Sequence, residues 1–356
     1  MPVRLINNAT YQNLFSPSKR IAIIGVKGMP PEFAGTSGVE FYVARRLPAL
    51  RALKKSVVCY VRAWATPTKQ KKYQSTTLTR LPSINTVHLD AVSHSFLATV
   101  HACFSPVDTV WYQATGPALF APVARLLGKR VIVTIHTKEW ERNKWGGISK
   151  AVLHAAEFLA IRFATTVITV SKDLSRYLTE TYGITAIVDP LQTPPVGRAP
   201  LNTLQQKYGL SPHSYILSMG RFVPEKRIEW LIEGFSKLPH KHGLRLVIAG
   251  GGHTLSRYEK KLRQLAGDVP GITFVGWVFG KEKEALLSHC RLFVLPSQVE
   301  GNPIVLQELQ PGTIALVSDE VTQTGTSAKI YTFPTQNKER FIQTLIYLAT
   351  KRRRQQ

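Results

Sequence analysis

The chain has 356 residues, and its 46 lysines and arginines against 22 aspartates and glutamates give a net charge of +24. An apolar content of 44% is ample for folded cores, and the length exceeds what one core usually organises, so we expect two domains. The three cysteines lie far apart and show neither CxxC nor Cys/His spacing, which argues against a disulfide framework and a zinc site.

Residues 1–19 are polar and lack the apolar core of a signal peptide, so we predict a loosely held N-terminal tail. No later stretch of about 18 residues is apolar and uncharged, as a membrane-spanning helix would be. These features predict a protein of the reducing cytoplasm, either soluble or peripheral to a membrane.

The first half of the chain alternates between short apolar runs and longer stretches with helical periodicity. The runs are rich in β-branched residues and are followed by turn residues; they cover 21–26, 56–61, 109–112, 131–135 and 166–170. This alternation is typical of a parallel α/β sheet. It predicts a first domain over residues 20–195.

A second domain is expected over residues 196–356, because proline and glycine interrupt all periodicity over 188–200 and the alternation then restarts. The new apolar runs cover 215–219, 244–249, 272–275, 292–295 and 314–318. A shortened C-terminal helix is expected over about 338–354. The predicted fold class is therefore α/β, with two Rossmann-like, doubly wound parallel-sheet domains.

In such sheets ligands bind at the carboxyl ends of the strands, so the residues after each apolar run are the informative ones. The first run leads into a Gly/Pro-rich loop that contains Gly35 and Gly38, where the backbone can approach a ligand. The loop matches neither GxGxxG nor GxxxxGK[ST], which disfavours a nicotinamide cofactor and a P-loop NTPase. The fourth run is followed by His136, a candidate to meet a substrate.

In the second domain, Arg221 and Lys226 lie five positions apart across a proline turn that follows the first apolar run. An arginine fork and a lysine point charge can converge on one diphosphate. The next run ends in glycines, among them Gly250 and Gly251, which suits close passage of a nucleotide. Two surface cations would be the alternative interpretation of the pair.

Two carboxylates, Glu300 and Glu308, lie eight positions apart after the fourth run of this domain. Between them a turn that includes Asn302 and Pro303 leads into a helix that opens at Ile304. A diphosphate can bind the backbone N–H groups of such a helix start. We expect Glu308 to lie just over one turn into the helix, within reach of ribose hydroxyls, and Glu300 to reach a sugar ring from the loop.

Taken in order, Gly220-Arg221-(4)-Lys226, the glycines 250–252 and Glu300-(7)-Glu308 resemble the retaining glycosyltransferases of the family 4 type, which have the GT-B fold. The resemblance covers roughly residues 20–320. In the first domain, residues 80–146 are similar to bacterial members that build cell-surface polysaccharides. This resemblance implies two domains that face a central cleft and a hexosyltransferase activity.

The resemblance also implies roles for the site residues. Arg221 and Lys226 would hold the donor diphosphate, Glu300 the donor sugar and Glu308 the ribose. His136 would line the cleft near the reacting carbon. The remaining positions implied to lie near the donor are Gly35, Gly38, Gly250, Gly251, Asn302, Pro303 and Ile304.

No Asp-x-Asp motif occurs in the chain, so a divalent metal has no obvious ligands and we predict metal independence, with no cofactor beyond the nucleotide-sugar co-substrate. The expected acceptor is a saccharide, free or linked to a polyprenyl diphosphate. A basic cluster on a predicted helix, from Arg45 to Lys55, is interleaved with apolar residues and favours an anionic membrane surface. We therefore expect the protein at the cytoplasmic face of the plasma membrane.

Two alternatives remain at this point. One is a nucleotide-sugar epimerase or hydrolase on the same fold. The other is a basic, non-catalytic module that binds membrane or nucleic acid. The chain has no RNP-type aromatic motif, helix-turn-helix signature or zinc-finger spacing, so no specific nucleic-acid partner is predicted.

Overall fold

The structure, a computed structural model, describes residues 4–5, 8–31, 38–67, 69–86, 89–141, 146–190, 195–197, 199–239, 243–251, 257–267, 269–300, 303–321 and 325–351. The chain divides into two compact units, Met1–Leu191 and Gln192–Gln356. The division falls within the Pro-rich segment where the sequence predicts a linker.

The first unit contains a nine-stranded sheet in the order β1-β9-β8-β7-β6-β2-β3-β5-β4. Only β4 and β5 pair antiparallel; the other neighbours are parallel. The strands are β1 (Arg4–Leu5), β2 (Arg20–Ile24), β3 (Ser56–Arg62), β4 (Lys72–Tyr73), β5 (Thr76–Leu81), β6 (Thr109–Gln113), β7 (Arg130–Ile135), β8 (Thr166–Thr169) and β9 (Ile187–Val188).

The helices of this unit cover both faces of the sheet. They are α1 (Asn8–Phe15), α2 (Gly38–Ala52), α3 (Leu89–Cys103), α4 (Ala121–Leu126), α5 (Gly147–Phe163) and α6 (Lys172–Tyr182), with short 3-10 helices at Pro117–Phe120 and Glu139–Glu141. The chain crosses from β2 to β3 in one direction and from β5 through β6, β7 and β8 in the other. Right-handed crossovers therefore place α2 on one face and α3, α4, α5 and α6 on the opposite face.

Two neighbouring residues of β6 show these two faces directly, because successive strand side chains point to opposite sides. The Trp111 ring contacts Phe15 of α1 and Tyr42 of α2, with centroid distances of 5.2 and 6.4 Å. The Tyr112 hydroxyl instead lies 2.9 Å from the Thr99 hydroxyl of α3. Both aromatic rings are fully buried, so the sheet is covered on both sides.

The predicted N-terminal tail over 1–19 is wrong for the part of it that the structure describes. Helix α1 packs on the sheet through Tyr11, Leu14 and Phe15, which are all buried. Strand β1 pairs with β9. This segment is polar on average, but its few apolar residues lie on one side of a short helix, and that side is enough to hold it against the core.

The second unit contains a six-stranded parallel sheet in the order β12-β11-β10-β13-β14-β15. The strands are β10 (Tyr215–Arg221), β11 (Arg245–Gly251), β12 (Ile272–Gly276), β13 (Leu292–Leu295), β14 (Ile314–Ser318) and β15 (Lys329–Phe333). The helices are α7 (Asn202–Tyr208), α8 (Ile228–Ser236), α9 (Arg257–Gly267), α10 (Gly280–His289), α11 (Ile304–Gln307) and α12 (Lys338–Thr350), with a 3-10 helix at Pro224–Lys226.

Two hydrophobic cores flank this sheet. Ile216 of β10 and Leu246 of β11 belong to one core, together with residues of α8, α9 and α12. Leu217 and Val247, one position further along the same strands, belong to the other core with residues of α7 and α10. A sheet that is buried on both faces explains why its strands are continuous apolar runs.

The predicted fold class is confirmed: both units are α/β with parallel, doubly wound sheets, and all ten predicted apolar runs form strands. Strands β1, β4, β5, β9 and β15 were not predicted. Strands β1, β4 and β9 have two residues each, β15 lies at a sheet edge, and β5 lies next to the edge strand β4. In β5 and β15 several exposed or half-exposed positions carry polar residues, so no apolar run results. In the described part of the chain, no helix has the length and apolar character needed to cross a membrane.

The basic cluster predicted on one helix corresponds to α2, which contains Pro48 and ends before Lys54. Its apolar residues Tyr42, Leu47 and Leu50 are buried in the unit. The apolar side of α2 therefore serves the core and cannot face a membrane at the same time.

Candidate donor site and its counterpart in the first unit

The order of strands in the second unit defines a topological switch point between β10 and β13. From β10 the chain proceeds to β11 and β12 on one side, and then returns to β13, β14 and β15 on the other. In open parallel sheets, ligands bind outside the carboxyl ends of the two strands at this point. Strand β10 ends at Arg221, and the loop after β13 carries Glu300.

Lys226 and Glu300 meet at this switch point. The 3-10 helix after β10 turns the Lys226 side chain back toward the strand end, where a Cβ built on Gly220 would lie 4.0 Å from the ammonium nitrogen. The ammonium forms an ion pair with the Glu300 carboxylate, and both side chains are mostly buried. The Ser297 hydroxyl donates a second hydrogen bond to the same carboxylate, at 3.0 Å.

The two loops are also joined through the backbone. The Gln298 N–H donates to the Glu225 carbonyl at 2.7 Å. The Ser318 hydroxyl donates to the carbonyl of the fully buried Ser297. The first bond fixes the loop after β13 to the loop after β10, and the second fixes it to the end of β14, so the ion pair is held by anchored segments.

Gly250 and Gly251 allow the ends of β10 and β11 to lie very close together. A Cβ on Gly250, whose φ is +129°, would be 1.8 Å from the Gly220 carbonyl oxygen. A Cβ on Gly251 would be 2.8 Å from the Trp277 indole nitrogen. Both glycines are buried, and Gly251 is in register with Arg221. Arg221, the last residue of β10, therefore lies at the carboxyl edge of the sheet next to Gly251, which has no side chain.

Glu308 lies in a different position from the one that the sequence predicts. Helix α11 is a single turn, and Glu308 caps its C-terminus instead of continuing it, because Pro311 and Gly312 follow at once. The carboxylate forms an ion pair with Lys283 of α10 at 2.6 Å and is largely buried. The backbone carbonyl oxygen of Glu308 accepts a hydrogen bond from the Val196 N–H at 2.9 Å.

The remaining predicted donor residues are placed as follows. Pro303 is the buried N-cap of α11, and Ile304 is its first residue. Gly38 is exposed at the start of α2 in the first unit. Gly35 and Asn302 lie outside the described residues.

His136 follows β7 in the first unit, at the carboxyl edge of that sheet. Its Nε2 lies 3.1 Å from the Gln113 side-chain oxygen at the end of β6, and its ring meets Tyr42 edge to face at 5.0 Å. Gln113 is fully buried. Two neighbouring strand ends and α2 therefore orient the imidazole.

Tyr42 also joins a charged cluster where the first unit ends. Its hydroxyl donates to Asp189 at 2.7 Å, and Arg46 binds the same carboxylate with two hydrogen bonds of 2.8 and 2.6 Å. Burial, and next the charge of Asp189, raise the pKa of Tyr42 well above its ordinary value. Tyr42 thus stays a protonated donor and connects Asp189 with His136.

Sequence reasoning did not single out Lys283, Ser297 or Gln113 as site residues. Lys283 and Gln113 lie 25 and 23 positions from their partners, whereas Ser297 lies three positions from Glu300, and none of the three belongs to a recognisable spacing motif. Arg227, next to Lys226, was missed as well: its guanidinium stacks on Trp230 and donates to the Thr335 carbonyl, and burial lowers its pKa. Within the described ranges, no cluster of three His, Cys, Asp or Glu residues could hold a metal ion.

Two family models match the chain in succession. The model described as "Glycosyltransferase Family 4" matches residues 36–190, and the model described as "Glycosyl transferases group 1" matches residues 213–351. The two matched segments fall in the first and second unit respectively and leave little of the chain uncovered.

Curated relatives agree at the level of the family. The chain is 31% identical over 214 residues to the glycosyltransferase YqgM of Bacillus subtilis, covering 56% of this chain and 55% of that protein. It is 25% identical over 220 residues to a GDP-mannose-dependent alpha-(1-6)-phosphatidylinositol monomannoside mannosyltransferase of Mycolicibacterium smegmatis, covering 55% and 52%. The chain thus spans about half the length of the curated relatives it matches.

Solved structures agree on the fold. Sucrose-phosphate synthase of Thermosynechococcus elongatus superposes with a TM-score of 0.74 at 17% identity, covering 93% of this chain and 92% of that one. HepE of Anabaena, in complex with UDP and glucose, superposes with a TM-score of 0.71 at 14% identity, covering 93% and 90%. With both halves matched in order and the two-unit architecture shared, the chain belongs to the glycosyltransferases of the family 4 type, with the GT-B fold.

Proposed function

We propose that this glycosyltransferase takes a hexose from a nucleoside-diphosphate sugar bound at the switch point of the second unit. The observation that carries the proposal is the meeting of Lys226 and Glu300 between the carboxyl ends of β10 and β13, with Arg221 on the same edge. The structural neighbour HepE supports a nucleotide-sugar donor, since its structure contains UDP and glucose.

The chemistry fits this arrangement. Glycosyl transfer develops positive charge on the sugar and negative charge on the departing diphosphate. Cations that are fixed before the reaction stabilise that negative charge without reorganisation. Lys226 is fixed by its ion pair and by the anchored loops, and Arg221 is the last residue of β10. Gly250 and Gly251 keep this edge compact, because a Cβ on either would meet the Gly220 carbonyl or the Trp277 ring.

In this proposal Glu300 binds sugar hydroxyls, Glu308 binds the ribose, and His136 contacts the sugar near the reacting carbon. These roles rest on the family resemblance. We further propose a retaining reaction without a metal ion, since two side-chain cations can take the charge that a metal would otherwise take. The acceptor is a saccharide, free or linked to a polyprenyl diphosphate, in cell-surface polysaccharide synthesis at the cytoplasmic face of the membrane.

Ligand-dependent thermal stability tests the donor site first. UDP, GDP, dTDP and ADP are compared on wild type, Glu308→Gln and the matched variant Glu282→Gln. Glu282 also pairs with a lysine, Lys207, in the same unit. A ligand present at about 100 times its Kd adds about 2.7 kcal/mol of stability. We expect one nucleoside diphosphate to stabilise wild type and Glu282→Gln, and to stabilise Glu308→Gln much less.

Transfer is then followed with the matching labelled nucleotide sugar, with and without an added acceptor and with and without EDTA. The proposal is supported if the label appears in a larger saccharide only when the acceptor is added, and if this transfer continues in EDTA. Label released at the same rate without acceptor supports a hydrolase or epimerase instead. If no nucleotide stabilises wild type, the proposed donor site is wrong.

A further inference from the structure

One face of the first unit exposes an unusual number of large apolar side chains. They lie on α3, α4 and α5, or directly after the end of α3 or α4. The set consists of Leu89, Phe96, Leu97, Phe104, Val123, Leu126, Leu127, Val152 and Phe158. In the described part of the second unit, the corresponding residues are Leu265 and Tyr347. Large contiguous apolar patches are uncommon on soluble monomers and mark interaction surfaces. We call this set the apolar face.

The apolar face is continuous because its helices are neighbours on one side of the sheet. Helix α4 packs against both α3 and α5, and the 3-10 helix Pro117–Phe120 contacts both as well. The rings of Phe96 and Phe120 lie 5.6 Å apart. Since α3, α4 and α5 also share the handedness of their crossovers, their outer sides form one layer.

The exposed residues follow helical spacing, so they form a stripe along a helix and are not scattered positions. On α3, Leu89 and Phe96 are seven residues apart, as are Leu97 and Phe104. The opposite side of the helix, which includes Ala98 and Ala102, is fully buried. A helix with small buried residues and large exposed ones is inverted relative to an ordinary surface helix.

The charge of this face has one sign. Arg125 and Arg162 are exposed between the apolar residues. The carboxylates on α3, α4 and α5 are Asp90, which pairs with Arg62 at 2.8 Å, and Glu157, which is fully buried and accepts from two tyrosines. The face ends at α6, where exposed Asp173 pairs with Arg176.

We propose that the apolar face docks on an anionic lipid bilayer, with its large side chains in the headgroup and acyl boundary and its arginines on lipid phosphates. Partition to such a surface grows with the apolar area buried and with the attraction of cations to anionic lipid. A chain with a net charge of +24 matches an anionic partner. This inference extends the membrane part of the proposed function but assigns it to the face opposite α2.

The experiment measures co-sedimentation of the full chain with vesicles of phosphatidylcholine, with and without phosphatidylglycerol. The variant Phe104→Ser/Leu126→Ser/Phe158→Ser changes side chains that are 83%, 81% and 55% exposed, so the fold has little to lose. We expect its partition to anionic vesicles to fall by about tenfold or more. The control Leu265→Ser/Tyr347→Ser should partition as wild type does.

A second pair of variants tests which arginines bind the anionic lipid. Arg125→Ala/Arg162→Ala should weaken binding by about fivefold for each arginine, whereas Arg45→Ala/Arg51→Ala, on α2, should have little effect. Equal losses in both pairs would overturn the assignment to the apolar face. Unchanged vesicle binding in the triple serine variant would also overturn it. If light scattering then shows that this variant is a monomer where wild type is a dimer, the partner of the apolar face is a second copy of the chain.

Nucleoside-diphosphate stabilisation is measured on the same variants and should not change in any of them. Loss of vesicle binding with intact nucleotide binding supports the docking face alone. Vesicle binding that persists in wild type without any nucleotide response leaves the docking face standing and contradicts the donor site. The two proposals therefore fail separately.

Discussion

Lys226 and Glu300, which are 74 positions apart in the chain, form an ion pair between the carboxyl ends of β10 and β13. The two residues lie in different loops, and a backbone hydrogen bond between Gln298 and Glu225 joins these loops. The pair joins the cation expected to hold a diphosphate to the carboxylate expected to hold the sugar.

Substitutions of the two members of this pair should have different effects on nucleotide binding. Lys226→Met removes a charge-assisted contact, so we expect the Kd for the nucleoside diphosphate to rise about tenfold to a hundredfold, or about 1.5–3 kcal/mol. Glu300→Gln removes a carboxylate that competes for the ammonium. It should leave that binding unchanged or tighter while lowering transfer. Titration calorimetry and labelled transfer measure the two effects.

The control for Lys226→Met is Lys237→Met, which removes an exposed lysine from an ion pair with Glu233 in the same unit. This substitution should leave nucleotide affinity as in wild type. If Lys237→Met weakens binding as much as Lys226→Met does, general charge rather than the switch-point lysine attracts the nucleotide.

Gly250→Ala should destabilise the second unit by about 3 kcal/mol or more. Its added Cβ meets the Gly220 carbonyl at 1.8 Å, and a φ of +129° is strained for any residue with a side chain. In the matched substitution Gly267→Ala, the added Cβ has no contacting atom within 4 Å. We expect it to be neutral within about 0.5 kcal/mol. Urea unfolding of both variants is the test, and similar losses would contradict the close approach of β10 and β11.

Asp189→Ala should cost about 3–5 kcal/mol, because it leaves the Arg46 guanidinium without its partner and the Tyr42 hydroxyl without its acceptor in a mostly buried place. The control Asp173→Ala breaks an exposed pair with Arg176, and we expect a loss below about 1 kcal/mol. Thermal unfolding measures both. A small loss for Asp189→Ala would mean that water reaches the cluster.

His94 should make the first unit sensitive to acid. Burial, and next the charge of Arg62, lower the pKa of His94 to about 4. The unfolded chain binds this proton near pH 6.5 and the folded chain does not, so stability falls as the pH drops from about 6.5 to about 4, by about 3 kcal/mol in all. Urea unfolding at about pH 7 and about pH 4 measures this loss.

His94→Gln should therefore lose less stability between these two pH values than wild type does. The control is His154→Gln, which replaces an exposed histidine of α5. Its pH dependence should follow that of wild type. If the His94 variant also follows wild type, other groups cause the acid sensitivity.

The sequence was enough to determine the fold class and the sheet edge to which we assign the proposed donor site. Strands that are buried on both faces must be continuous apolar runs, and β13 and β14 have the predicted limits, Leu292–Leu295 and Ile314–Ser318. Because parallel strands place their carboxyl ends on one edge, the sequence alone puts the positions that follow β10 and β13 on the same edge. That β10 and β13 are neighbours follows only from the order of strands in the sheet.

Only the tertiary structure decided the partners of the site residues. Lys283 and Gln113 reach their partners across strands and helices, and no local spacing encodes such contacts. The packing of α1 on the sheet was likewise set by long-range contacts that outweigh local composition.

The same reason explains the location of the apolar face. Sequence periodicity shows that α2 and α3 each have an apolar side, but it does not show which side the core takes. The core buries the large residues of α2, Tyr42, Leu47 and Leu50, and the small residues of α3, Ala98 and Ala102. Burial depends on the volume left between a helix and the sheet, and that volume exists only once the whole unit has folded.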